Sequence, residues 1–201
     1  MDRDTIFKIT VALILLTILY TFVRFFYRQR VLKQLGTLLY SNDIENYRKR
    51  FDSKSVKFLL TPIERQLFTL DEGFLTTQED LIRSTLNQLD NFRLNDQQKG
   101  IVHSKAFYFF TSLGEIESAK HYYALLLNNK SYPDKYNLKR AYNTYIEKGY
   151  EYLEETIKQA QSNPTNYAII ADMYHNKGDT DNHKKYTELF KKYMDSQWIS
   201  K

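Results

Sequence analysis

The strongest constraint on this chain is a long apolar run close to its N-terminus. Residues 6–23 read IFKITVALILLTILYTFV, and Lys8 is the only charged residue among them. A helix needs about 20 apolar residues to cross the hydrocarbon core of a bilayer. Because the run is apolar on every face, it does not suit the core of a soluble protein. With the aromatic residues that follow, it predicts a transmembrane helix at residues 6–27.

A cleaved signal peptide is the alternative to a retained membrane helix. Its cleavage site needs small residues directly after the apolar run. The segment from Thr21 to Phe26 offers none. The sequence therefore favours a retained single-pass anchor.

Basic residues around the apolar run predict its orientation, because cytoplasmic flanks carry an excess of Lys and Arg. At its N-terminal end stand two basic residues, Arg3 and Lys8, and two acidic ones, whereas the following segment has four basic residues: Arg24, Arg28, Arg30 and Lys33. We expect residues 1–5 to be a short extracytoplasmic N-terminus at the cell membrane, and the chain after residue 27 to lie in the cytoplasm.

The positive charge is concentrated next to the predicted anchor. Residues 1–60 hold 11 basic and 5 acidic residues, while the rest of the chain has a net charge of −1. Such an excess is placed to face anionic lipid headgroups. A nucleic-acid groove would instead spread basic residues over the distal part of the chain, so no nucleic-acid partner is expected.

Composition predicts that the rest of the chain is helical. It has 17 Tyr and 13 Phe but only 6 Gly and 3 Pro, so packing residues abound and loop residues are scarce. The absence of cysteine excludes disulfides and thiolate chemistry. We expect degenerate helix pairs at residues 28–95, clearer pairs at 96–195 and a C-terminal tail at 196–201. No Pro or Gly separates Ile6 from Leu35, which predicts one long rod, and Asp71-Glu72-Gly73 is predicted to end a helix.

The clearest folding unit spans residues 101–128. Small and aromatic residues recur there at helical spacing, which is typical of one buried helix face. Gly114 then predicts a turn, since glycine takes up the left-handed C-cap conformation easily. We predict two antiparallel helices whose inner positions are Ala106, Phe107, Phe110 and Leu113, followed by Ile116, Ala119, Tyr123, Leu126 and Leu127.

Similar turns recur along the distal part of the chain. Gly114, Gly149 and Gly178 each follow a predicted helix, at intervals of 35 and 29 residues. Around the first turn, Ala106-Phe107, Phe110, Ala119 and Tyr123 follow the pattern of tetratricopeptide repeats, which this segment resembles. The resemblance covers about half of the chain, and it departs at Glu154 and His183, where alanine is usual. It implies an all-α fold, with the anchor followed by a right-handed stack of antiparallel helix pairs.

The resemblance also implies a concave groove, lined by the first helix of each pair, that binds a protein partner. Lys139 and Asn143 resemble half of the carboxylate clamp with which some family members hold a peptide C-terminus. The alternative that these residues are ordinary polar surface stays open. The inward positions are Ser104, Tyr108 and Thr111, then Lys139, Arg140 and Asn143, and last Asp172, His175 and Asn176.

No catalytic motif appears in the sequence. The four histidines lack the HExxH spacing, and no phosphate-binding glycine loop or nucleophile elbow is present. His175 and His183, near Asp172 and Asp179, are a conceivable metal site, but surface histidines are the simpler interpretation. We therefore predict no cofactor, no metal and no enzymatic activity.

The sequence predicts a membrane-anchored scaffold that recruits a protein partner and raises its effective concentration at the bilayer. Three alternatives remain open. The helices could form an extracytoplasmic chaperone-like repeat protein, or a structural subunit of a membrane complex. A ligand-binding or enzymatic domain could use an aromatic pocket among Phe107, Tyr108, Phe110 and Tyr145.

Overall fold

The computed structural model describes residues 2–199, and all regular elements in this range are α-helices. The chain divides into two compact units, an N-terminal unit of residues 1–93 and a C-terminal unit of residues 94–201. The helices are α1 (Arg3–Tyr40), α2 (Ile44–Phe51), α3 (Lys54–Leu59), α4 (Pro62–Leu75), α5 (Glu79–Leu89), α6 (Asp96–Ser112), α7 (Ile116–Asn128), α8 (Lys135–Tyr145), α9 (Leu153–Ala160), α10 (Asn166–Lys177) and α11 (Thr180–Ile199).

The first helix, α1, is long and apolar enough to cross a membrane. It contains 38 residues, and the side chains of residues 5–27 are exposed. Its last turns behave differently, because Val31, Leu35 and Leu39 are buried. The predicted continuous rod is confirmed, and it extends past the predicted span to Tyr40. At its other end, α1 begins at Arg3 with Asp2 as the N-cap, within the segment predicted to precede the span.

In the N-terminal unit, the end of α1 packs against α2 and α3. Tyr47 and Phe51 fill the space between these helices, with ring centroids 5.4 Å apart. The Tyr47 hydroxyl donates a hydrogen bond to the Phe68 carbonyl of α4 (3.2 Å). The two aromatic residues of α2 therefore hold three helices together.

The predicted helix end at Asp71-Glu72-Gly73 is wrong. Helix α4 begins with a capping box between Thr61 and Glu64 and continues through Gly73 to Leu75. Gly73 is buried, and a Cβ there would lie 2.9 Å from Ile82 Cγ1 of α5. This glycine allows close packing of two helices instead of ending one.

The hairpin predicted at residues 101–128 is confirmed as α6 and α7. Gly114 has a φ of +73° and forms the turn after Leu113. Phe107 and Ala119 are fully buried. One predicted inner residue is wrong, because Leu113 is 40% exposed at the C-cap. Helix α6 also begins before residue 101, where Asn95 and Gln98 form a capping box.

The remaining helices follow the predicted order with shifted ends. The turn predicted at Gly178 is confirmed, since this glycine ends α10 with a φ of +79°. Helix α8 ends at Tyr145, four residues before the predicted Gly149. Helix α11 continues to Ile199, so no separate tail begins at residue 196; residues 200 and 201 lie outside the described part. The all-α fold is confirmed for residues 2–199, and the right-handed stack stays a prediction.

Candidate partner-binding surface

One stripe of α6 remains exposed after the helix has packed against α7. The inner face of α6 is buried through Val102, Ala106 and Phe110. On the outer face, Ile101 is 44% exposed and Tyr108 is 43% exposed. These two residues lie seven positions apart, so they occupy the same side of the helix two turns apart. The stripe places a large apolar and a large aromatic side chain in water.

A groove of about 660 Å³ runs beside this stripe, and we call it the α6 groove. Its other wall is the turn at Ser131, Tyr132 and Pro133. Ser104 Oγ and Tyr132 Oη lie 3.4 Å apart across it. The predicted inward position of Ser104 thus lies in a groove, although the second wall is a turn and not the neighbouring helix.

The turn is held in place by Asn129. Its Nδ2 donates to the Asp96 carbonyl at the start of α6 (2.7 Å), and its Oδ1 accepts from the Ser131 amide (2.9 Å). Both ends of the amide are therefore used to fix the wall of the α6 groove. The glycosylation triplet Asn129-Lys130-Ser131 has its acceptor nitrogen engaged in this structural bond.

Tyr108 lies next to the same turn. Its ring packs edge-on against the buried Phe107 ring, with centroids 5.0 Å apart. Burial of the hydroxyl raises the Tyr108 pKa, and nearby Tyr132 and Asp134 raise it further. The side chain thus offers a neutral hydroxyl and an exposed ring edge. Tyrosines of this kind are common anchors in protein interfaces.

Arg140 and Asn143 do not line an open groove. Arg140 is 7% exposed, and its guanidinium donates to Gln159 (3.1 Å) and Asn166 (3.2 Å). Asn143 is 5% exposed, and its Nδ2 donates to Glu147 (3.2 Å). Arg140 therefore ties α8 to the region around α9 and α10.

The Lys139–Asn143 half of a carboxylate clamp is consequently not presented as a pair. Lys139 is exposed, whereas Asn143 packs beneath Gly149, whose absent Cβ would overlap the Asn143 side chain. Lys139 and Asn143 do lie one turn apart on α8, but the first side chain is in solvent and the second is in the core. This is a correction to the predicted clamp.

The α10 positions meet the end of α8. Asn176 Nδ2 donates to the carbonyls of Thr144 (2.8 Å) and Gly149 (3.2 Å). Asp172 accepts a hydrogen bond from the Tyr145 hydroxyl, and the Tyr145 pKa is raised by burial first and by Asp172 second. Asn176 and Asp172 therefore hold two helices together, in addition to any role at the surface.

Tyr145 is the residue on which the predicted positions converge. Tyr108, Arg140 and Asp172 all lie close enough to affect its pKa. They come from α6, α8 and α10, the three helices predicted to share an inward face. The remaining α6 position, Thr111, is half-buried, and its Oγ1 has no hydrogen-bond partner.

His175 lies apart from this convergence. It is exposed, and its ring centroid is 5.3 Å from that of His183. His183 Nδ1 lies 3.0 Å from the Ala171 carbonyl. Among residues 2–199, no three histidine or carboxylate side chains are grouped so that they could hold a metal ion.

Half of the predicted aromatic pocket is solid core. Phe107 is fully buried, and Phe110 is 9% exposed and stacks on Tyr122 with ring centroids 5.6 Å apart. These two side chains fill space between α6 and α7. Only Tyr108 and Tyr145 of the four are placed toward the surface.

Comparison with protein-family models finds no match, and comparisons with curated proteins and with solved structures find none either. The assignment of a function therefore rests on the geometry of this chain.

The sequence reasoning missed Ile101 and the Tyr132–Pro133 wall. The hairpin predicted from residue 101 places Ile101 at the start of a helix. In the structure α6 begins five residues earlier, so Ile101 lies on the outer stripe. The wall depends on the Asn129 hydrogen bonds, and no sequence motif predicts the bond between Asn129 and the distant Asp96. The sequence does place Ile101, an apolar residue, on the face of α6 opposite the buried stripe, and this pattern could have indicated an exposed binding residue.

Proposed function

We propose that this chain is a single-pass membrane protein whose C-terminal unit recruits a protein partner to the bilayer. Support for the anchor comes from α1, because the exposed residues 5–27 include large apolar side chains over a length of about 30 Å at 1.5 Å per residue. Soluble proteins rarely expose so large a continuous apolar surface to water. Orientation follows the basic flank, with the C-terminal unit in the cytoplasm.

The observation that carries the recruitment proposal is the exposed stripe of α6. Ile101 and Ser104 line the α6 groove, and Tyr108 lies one turn beyond Ser104 on the same exposed stripe. A short segment of a partner can bury both side chains and place polar groups along Ser104 and Tyr132. Peptide binding of this kind uses a few apolar anchors with polar contacts between them.

Recruitment needs no catalytic group and no cofactor. The anchor confines the groove to a surface, so the partner's local concentration rises even when the groove binds weakly. Tyr108 and Asp172 lie near Tyr145, where they help to position the helices and to keep the Tyr145 hydroxyl neutral. The function proposed is therefore that of a non-enzymatic scaffold.

Photocrosslinking in membranes tests this surface. Benzoylphenylalanine at Ile101 and at Tyr108 is expected to capture the same protein, because both positions lie on the exposed stripe of α6. Leu125 of α7 is the matched control, since it is also exposed (37%) in the same unit but outside the groove. Capture from Leu125 alone, or equal capture of unrelated proteins at all three positions, would refute the α6 groove.

Loss of binding by substitution gives a second test. Ile101→Asp and Tyr108→Ala are expected to abolish recovery of the captured partner while the helical content stays unchanged, since both side chains are largely outside the core. Recovery that survives both changes would contradict the proposal. A reporter active only in the cytoplasm, fused after residue 201, tests orientation; a stable but inactive fusion would place the unit outside.

A further inference from the structure

An open groove of about 1050 Å³ lies between the second half of α1 and α2 in the N-terminal unit. Four cationic side chains line it: Arg30 and Lys33 from α1, and Lys49 and Arg50 from α2. Its remaining lining residues are neutral. We call this feature the cationic groove.

The four cations differ from their neighbours in lacking acidic partners. Arg28 pairs with Glu64, and Arg48 Nε donates to Glu72 (2.5 Å), so α4 neutralises cations that face it. Within residues 2–199, Arg30, Lys33, Lys49 and Arg50 join no salt bridge. Four like charges around one concavity repel each other, and a bound anion would relieve that repulsion.

One of these cations donates to a neutral group inside the groove. Arg50 Nη2 donates to Gln34 Oε1 (3.3 Å), which links α2 to α1. This bond holds the guanidinium in the groove and leaves its other N–H groups available. A guanidinium presents its donors in a planar fork that matches two oxygens of a phosphate.

The groove begins at the depth expected for lipid phosphates. Arg30 follows Tyr27, the end of the predicted span, by three residues, or about 4.5 Å along the helix. The headgroup layer on each side of a bilayer is about 5–7 Å thick. Arg24 lies over the Phe58 ring at 5.3 Å, so α3 reaches back to the end of the span. Phe58 is 65% exposed there, which suits the membrane interface.

We propose that the cationic groove binds a phosphate-bearing anion, supplied in the membrane by the headgroup of an anionic phospholipid. Arg30 and Lys33 approach the phosphate from α1, and Lys49 and Arg50 approach it from α2. The lipid source rests on the proposed anchoring by α1, whereas the phosphate chemistry does not. Binding would fix the depth and rotation of the N-terminal unit at the bilayer surface.

Lipid retention measures this site directly. The full chain is reconstituted in nanodiscs of phosphatidylcholine containing a minority of phosphatidylglycerol, and the lipids it retains are identified by native mass spectrometry. We expect selective retention of phosphatidylglycerol. Lys49→Gln with Arg50→Gln should weaken this retention about 100-fold, since each lost hydrogen bond between a cationic side chain and the phosphate corresponds to roughly a tenfold factor.

The control removes the same charge from the adjacent helix. Lys54→Gln with Lys57→Gln changes two exposed lysines of α3, the helix that reaches the end of the span through Phe58. A groove site predicts nearly unchanged retention in this variant. Equal losses in the two double variants would overturn the proposal, because they would show a diffuse field and no site.

A neutral obstruction separates shape from charge. Thr37 is exposed in the groove, and its Oγ1 bonds only the Lys33 carbonyl of its own helix. Thr37→Trp should reduce retention although every charge remains. Unchanged retention in this variant would also overturn the proposal.

Inorganic phosphate tests the chemistry without a bilayer. In detergent, phosphate is expected to shift the amide resonances of Lys49 and Arg50, and the Lys49→Gln/Arg50→Gln variant should lose this shift. Phosphate binding without lipid retention would assign the site to a soluble anion. The absence of both phosphate binding and lipid retention would refute the site. Carbonate extraction reports anchoring separately, so a failed anchor is distinguishable from a failed groove.

Discussion

The two units of this chain use different aromatic residues for their packing. The N-terminal unit holds 9 of the 13 phenylalanines, whereas the C-terminal unit holds 13 of the 17 tyrosines. Phenylalanine can be exposed to lipid or buried without further partners. Tyrosine brings a hydroxyl that must find a partner when it is buried. The N-terminal unit is therefore richer in aromatic side chains that need no hydrogen-bond partner, and the C-terminal unit in hydroxyls that need one when buried.

The two units also differ in how their charged and polar side chains are partnered. In the N-terminal unit, α4 pairs with cations on one side, and four cations remain in the cationic groove. In the C-terminal unit, hydrogen bonds to neutral acceptors, such as Arg140 to Asn166 and Asn176 to Thr144, link the helices. The first arrangement leaves an excess of positive charge around an open groove, while in the second neutral amide and carbonyl groups accept the hydrogen bonds between helices.

The largest effect should come from Ala119→Glu in the C-terminal unit. Ala119 is fully buried between α6 and α7, so the variant buries an unpaired carboxylate. We expect a loss of more than about 4 kcal/mol in the free energy of unfolding. Hydrogen exchange should show lost protection in α6 and α7 and retained protection in residues 31–59. Simultaneous loss in both units would show that they fold as one.

A core truncation in each unit gives the next largest effect. Leu35 and Leu138 are both fully buried, one in each unit. Replacement of either by alanine should cost about 2–5 kcal/mol through lost contacts and a cavity. Hydrogen exchange should rise in the N-terminal unit for Leu35→Ala and in the C-terminal unit for Leu138→Ala. The opposite assignment would break the comparison.

Two glycine substitutions should have opposite signs. Gly149→Ala places a methyl group against the Asn143 side chain and should destabilise by about 1–3 kcal/mol. Gly36→Ala lies inside α1, where nothing is within 4 Å of the new atom, and should stabilise by about 0.5–1 kcal/mol. Thermal unfolding followed by circular dichroism measures both. Equal signs would contradict the packing described at one of the two sites.

Alkaline pH should produce the smallest effect and should act mainly on the C-terminal unit. Burial raises the pKa of Tyr136 to about 12 and also raises the pKa values of Tyr108 and Tyr145. The unfolded state loses these protons near pH 10, before the folded state does, so stability falls as pH rises above about 10. The melting temperature should be lower at about pH 11 than at about pH 9.

A matched variant locates this pH dependence. Tyr145→Phe removes one hydroxyl with a raised pKa and should make the alkaline loss of melting temperature smaller. Tyr193→Phe, on α11, is the control and should retain the loss seen in the original chain. An undiminished loss in Tyr145→Phe would show that this hydroxyl does not link folding to pH.

Local patterns predicted helices better than helix ends. The hairpin around Gly114 and the turn at Gly178 were predicted because glycine conformation and apolar periodicity act within one or two turns of a helix. Gly73 misled the prediction, since its role is set by Ile82 of another helix. The α8 end was also misplaced, because the chain turns around Asn143 before it reaches Gly149.

The candidate surface was predicted only in part. Tyr108, Arg140 and Asp172 do converge on Tyr145, but Arg140 and Asn143 are buried. A repeat register gives the direction of a residue from its own helix axis. It does not give the depth of that residue beneath the neighbouring helix, and Ile101 with Tyr132 was missed for the same reason.

By itself, the sequence determined an all-helical chain with an apolar helix long enough to cross a membrane, because length and periodicity are properties of contiguous residues. It also determined the excess of basic residues after the apolar run. Tertiary structure alone decided which of those cations meet an acid: Arg28 and Arg48 face α4, and Arg30, Lys33, Lys49 and Arg50 face an open groove. The physical reason is that charge pairing depends on distance through space, which residues far apart in the chain acquire only by folding.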